Sequence, residues 1–98
     1  MSAKKRSPLH QWEQEMIDAY YDYQWHLVLD PLYDKFQNWK AGETSHDEMD
    51  EAIHKTHKSC QDVYNLFTTK RDLLVRIIQF NEGWFSQWVK NHPQPAEQ

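Results

Sequence analysis

Glycine occurs only at Gly42 and Gly83 in a chain of 98 residues, and cysteine only at Cys60. Two isolated glycines exclude a glycine-rich phosphate loop, whose backbone must wrap closely around an anion. One cysteine excludes an internal disulfide. The β-branched residues are few and scattered, which argues against strands. No apolar run approaches the length of a signal-peptide core or a membrane span, so the expectation is a cytoplasmic protein with no membrane partner. An excess of positive charge is also missing. A net charge of -4 and a pI near 5.8 do not suit a surface that must neutralise a phosphate backbone, and nucleic acid is not an expected partner.

What remains is a helical, aromatic-rich chain. Five Trp, five Tyr and four Phe stand beside a mean hydropathy of -0.99, so a few large rings carry much of the apolar area. Rings of this size suit both cores and interfaces. The fold class expected is all-α: a small helical bundle or a long helical hairpin, either of which a second copy would complete as a dimeric bundle. Residues 8–91 would form one helical domain between a flexible basic tail at 1–7, carrying Lys4, Lys5 and Arg6, and a flexible tail at 92–98.

Pro8 suits the first turn of a helix capped by Ser7, with Trp12, Met16, Ala19, Tyr23 and Leu27 on one face. A shifted stripe of Trp25, Leu29, Leu32, Phe36 and Trp39 follows. Asp30-Pro31 falls at the shift, where proline deletes a donor and crowds the carbonyl of Leu27. A kink, or a break restarting with Asp30 as cap, is expected there. Gly42 marks a reversal, and Ser45 with Glu48 forms a capping box for a helix starting at 45 or 46.

From Met49 onward, twelve positions recur at alternating four- and three-residue steps: Met49, Ile53, Thr56, Cys60, Val63, Phe67, Lys70, Leu74, Ile77, Asn81, Trp84 and Trp88. Nine are apolar, where the composition alone would place about five. Such a seam packs along another helix. If Thr68-Thr69 with Asp72 is a capped restart, the chain folds back as a compact bundle. If it is not, one helix runs to about Lys90, roughly 65–70 Å at 1.5 Å per residue. Gly83 inside that helix would let a neighbour approach closely beside Trp84.

Two functional classes compete on these residues. The first is a protein–protein interaction or oligomerisation module without catalytic activity, the partner being another protein or a second copy. Its expected contacts are Trp84, Phe85 and Trp88, with Trp12, Trp25 and Trp39 as further anchors or as core. The second is a helical zinc or non-haem iron protein. Asp50, His54 and His57 share one helical face, and Glu51 with His54 makes the E-x-x-H spacing used in di-iron bundles. A carboxylate from the first helix, Asp18 or Asp22 near His26, would have to complete that site. Lys55 and Lys58 beside these ligands oppose a bound cation, and Glu51-Lys55 is itself an i, i+4 ion pair. An adaptor presenting the Asp47 to Glu51 acidic cluster to a basic partner is a further possibility. Cys60 is expected as a small buried hydrophobe rather than a thiol paired with His57, and His10 and His92 as exposed bystanders.

Overall fold

The computed structural model describes residues 7–96, so the parts of the expected tails at 1–6 and 97–98 lie outside the described residues. The described residues fold into four helices and no strand: α1 (Pro8–Lys40), α2 (His46–Phe67), α3 (Arg71–Phe80) and α4 (Glu82–Asn91). The protein is all-α. The described residues form two compact units, one from residues 7–20 with 69–96, the other from Tyr21–Thr68.

The first unit gathers the N-terminal turns of α1 with α3 and α4. Its α1 face is Trp12, Met16 and Tyr20, all buried, and Met16 and Ile78 are wholly inaccessible. This corrects the expected Ala19–Tyr23–Leu27 continuation, since Leu27 is half exposed. Each four-residue step exceeds the 3.6 residues of one turn, so the buried line drifts around α1 instead of running straight. Ser7 begins the helix as expected, its Oγ accepting from His10 N at 3.0 Å. Arg71 at the start of α3 ties the unit together, donating to Gln14 Oε1 at 2.5 Å and to the carbonyl of His10 at 3.0 Å.

Of the two courses open to the C-terminal half, the broken one holds and the chain has four helices. After Phe67 the chain turns at Thr68, whose hydroxyl donates to the Asn65 carbonyl at 2.9 Å. The next helix begins at Arg71, with Lys70 rather than a threonine in the N-cap position and no side-chain cap bond there. A second break falls at Asn81, whose side chain accepts from Trp84 N at 3.3 Å and donates to Tyr20 Oη at 3.0 Å. Asparagine competes for backbone partners and so ends α3 and caps α4 at once. Gly83 consequently sits in the first turn of α4. A Cβ there would meet only Asn81 Oδ1 at 4.0 Å, so no close approach requires this glycine.

The second unit is a helical hairpin: α1 from Tyr21 to Lys40, a tight turn, and α2. The turn is a Schellman closure, with Glu43 N bonded to the Asn38 carbonyl at 2.8 Å and Gly42 N to the Trp39 carbonyl at 3.0 Å. It requires the φ of +82° that Gly42 adopts. Ser45 then starts α2 with both bonds of the capping box, as the sequence indicates. The restart at Asp30-Pro31 does not occur, because α1 passes through Pro31 as helix. The Asp30 carboxylate bonds His26 Nδ1 at 3.1 Å instead of capping. Proline leaves the Leu27 carbonyl without its helical donor, and in this exposed stretch of helix water can supply one.

Candidate functional site on the open face of the hairpin

Each helix of the hairpin has an order of residues around its axis that follows from 3.6 residues per turn. Around α1 the order is Lys35, Val28, Leu32, then Phe36 and Leu29, then Tyr33. Around α2 it is Lys55, Ala52, Val63, Met49, Cys60 and Ile53, then Tyr64. Val28, Leu32, Val63 and Met49 face inward, Val63 and Met49 being buried. The antiparallel register is fixed at the far end by the Tyr21 and Phe67 rings, edge to face with centroids 4.9 Å apart.

One flank of this seam is ionic. Lys35, Glu48, Glu51, Ala52 and Lys55 line a single cleft, and Lys55 Nζ lies 3.0 Å from Glu51 Oε1. The Ser45 backbone and hydroxyl hold the Glu48 carboxyl below its ordinary pKa, with Lys35 adding a smaller push in the same direction. With Lys35 on that flank, the opposite flank must carry the other side of both helices. It carries Leu29, Tyr33 and Phe36 from α1 and Ile53 and Tyr64 from α2. These are exposed to 42%, 63%, 41%, 41% and 67% respectively. Cys60 is half-buried at the edge of this face and lines a cleft with Gln61, Tyr64 and Asn65, so it is less enclosed than the sequence suggests.

Polar groups frame the face. His26 is clasped by Asp30 at 3.1 Å and Asp22 at 3.7 Å on its two ring nitrogens. The Asp30 hydrogen bond, then the charges of Asp30 and Asp22, raise its pKa above 6.5. At the turn, Trp39 Nε1–H donates to His46 Nδ1 at 2.9 Å, closing the hairpin tip.

The other sequence-derived candidates fall in different places. Trp84, Phe85 and Trp88 are half-buried in the first unit, where Trp12 is buried against Phe85 and Trp88 with centroids 6.2 and 5.6 Å away. Tyr20 meets Trp84 edge to face at 4.9 Å, and Trp84, Trp88 and His92 stack in sequence along the end of α4. His92 is therefore no bystander: its carbonyl accepts from Trp12 Nε1 at 2.6 Å, and its ring lies 4.5 Å from that of Trp88. His10 likewise contributes its carbonyl to Arg71. Trp25 is half-buried in the hairpin beside Tyr21, at 6.1 Å, and Trp39 is more exposed.

Asp50, Glu51, His54 and His57 all lie on exposed positions of α2. His54 Nδ1 is 2.8 Å from the Asp50 carbonyl and 3.5 Å from its carboxylate, Glu51 is paired with Lys55, and His57 Nε2 is 3.4 Å from Gln61 Nε2. Among the described residues no group of three or more His, Cys, Asp and Glu side chains is disposed to hold a metal ion. Nor is any described helix long and apolar enough to cross a membrane.

Leu29 and Phe36 belong to the expected α1 stripe and Ile53 to the seam from Met49, but none of them, nor Tyr33 or Tyr64, was expected as an interaction contact. The signal that identifies them is the phase of α1: Leu29, Tyr33 and Phe36 keep four- and three-residue spacing beside, rather than on, the inward line. Comparison of the chain with family models, curated proteins and solved structures returned no match.

Proposed function

We propose that this protein is a non-catalytic protein–protein interaction module and that the open face of the α1–α2 hairpin is its binding surface. The observation that carries this reading is that Leu29, Tyr33, Phe36, Ile53 and Tyr64, which helical phase sets on one side of the hairpin, are each more than two-fifths exposed. Single exposed apolar residues are ordinary on any surface, whereas a contiguous, rimmed patch marks a contact site. Aromatic side chains make strong anchors because they bury much area at low entropic cost. The tryptophans of α4 have a competing use, since their rings already contact Trp12, Tyr20 and one another.

The test is a paired measurement on the full chain, wild type against Leu29→Glu with Tyr33→Glu. Mass by light scattering reports self-association, and affinity capture from the expressing cells reports other partners. The double variant is expected to lose its associations while keeping the wild-type far-ultraviolet circular dichroism. Retention of every association by a folded double variant would sink the proposal.

A further inference from the structure

We infer that the occupant of the open face is a second copy of this chain, docked with its α1 antiparallel to the first across a two-fold axis near residue 31. This rests on the open-face reading above and names its partner. The outer edge of α1 carries Asp22, His26, Leu29, Tyr33, Phe36 and Lys40, which follow one another at four, three, four, three and four residues. That is the spacing of a helix-packing seam. It also reads the same in both directions from its centre, a property that a two-fold axis uses directly, because a symmetric contact must place the same stripe on itself reversed.

Running two copies antiparallel about residue 31 sets Leu29 against the partner's Tyr33 and His26 against the partner's Phe36. Asp22 then meets the partner's Lys40, and symmetry supplies this pair twice. A parallel pairing would instead set Asp22 on Asp22 and Lys40 on Lys40, so the end charges select the antiparallel arrangement. Lys40 forms no ion pair among the described residues. The Asp22 side chain is 79% exposed, with its carboxylate 3.7 Å from His26. Both charges are thus open to an external partner.

The area is consistent with this occupant. Five large side chains left about half exposed offer on the order of 500 Å² of apolar surface per copy. A stable interface takes roughly 800 Å² from each partner, part of it a polar rim. His57, Gln61 and Asn65 of α2, which border Tyr64, and the ends of the α1 stripe can supply that rim.

The experiment is sedimentation equilibrium of the full chain at low ionic strength, where exposed charges act most strongly. The wild type is expected to dimerise. Asp22→Lys and Lys40→Asp are each expected to weaken the dimer about tenfold, and the double exchange to recover most of the loss. Both substitutions lie at exposed positions, and circular dichroism verifies that each of the three variants is folded. A chain that stays monomeric at every concentration overturns the inference. So does a dimer that ignores both reversals, or one that fails to recover in the double exchange. A dimer that ignores the reversals yet dissociates in Tyr33→Glu overturns the antiparallel register while leaving the open-face reading intact. A monomer whose open face still captures a different protein refutes the second-copy occupant alone.

Discussion

Trp12 decides whether the aromatic cluster of the first unit is core or contact surface. It is 5% exposed, its ring meets Phe85 and Trp88, and its indole N–H donates to the His92 carbonyl. Replacing it with alanine removes on the order of 200 Å² of buried apolar area, worth about 5 kcal/mol at 25 cal/mol per Å². Measured truncations of this kind cost roughly 3–5 kcal/mol, so about 4 kcal/mol is expected for Trp12→Ala. Trp12→Phe keeps most of the ring packing but forfeits the hydrogen bond and some area, for about 1–2 kcal/mol. A domain of this size has only about 5–15 kcal/mol of stability in total, so the alanine variant should melt far below wild type, if it folds at all. The assay is urea unfolding followed by near-ultraviolet circular dichroism at two protein concentrations. A loss below about 1 kcal/mol for Trp12→Ala would refute the core assignment. Equal stability with a reduced oligomeric mass would return these rings to the interface role that the sequence suggests.

Ser45→Ala removes one half of the α2 capping box and is expected to cost about 1 kcal/mol in the same unfolding assay, with Ser45→Asp restoring most of it. His26 gains affinity for its proton in the folded chain, so its contribution to stability is complete below pH 6.5 and fades as pH rises through the raised folded value. A proton NMR titration should show that elevation in wild type and a lower midpoint in Asp30→Asn; identical midpoints would remove the Asp30 bond as its cause. Pro31→Ala restores a donor for the Leu27 carbonyl and should stabilise the chain by about 2 kcal/mol, and a loss of stability would mean that the packing depends on the proline. Untagged protein grown with added zinc or iron should carry only background metal by elemental analysis. A stoichiometric metal lost in His54→Ala would instead establish the histidine helix as a metal site.

Features that depend on a few neighbouring residues were legible in the sequence. The Ser7-Pro8 start, the Gly42 reversal and the Ser45-Glu48 box each follow from short-range hydrogen-bonding needs, and the structure shows all three. The breaks after Phe67 and at Asn81 were harder because neither carries Gly or Pro. The seam from Met49 to Trp88 runs across both breaks in phase, so periodicity alone cannot separate one helix from three. At Asn81 the available signal was an asparagine immediately before Glu82 and the α4 aromatics, a capping pattern within an apolar stretch. At Pro31 the local rule overstated the break. Its cost is bounded, and nine residues of helix beyond it, from Leu32 to Lys40, can keep the conformation.

The candidate site was less legible than the fold for a different reason. A stripe of apolar residues has the same spacing whether another helix covers it or not, so the sequence could mark Trp25, Leu29 and Phe36 as packing residues without saying which were already packed. The structure separates them by angle. The apolar arc of α1 runs from Val28 through Leu32 and Trp25 to Leu29, Phe36 and Tyr33, wider than the strip one antiparallel helix covers. α2 takes the first part of that arc and leaves the last three residues accessible. Within Tyr21–Thr68 only Met49 and Val63 are fully buried. A pair of helices joined by so narrow a core gains most from a neighbour on its remaining apolar side, and that side is the one edged by Asp22 and Lys40. The width of one helix's apolar arc, compared with what its single neighbour covers, is thus the physical reason to look for the partner there.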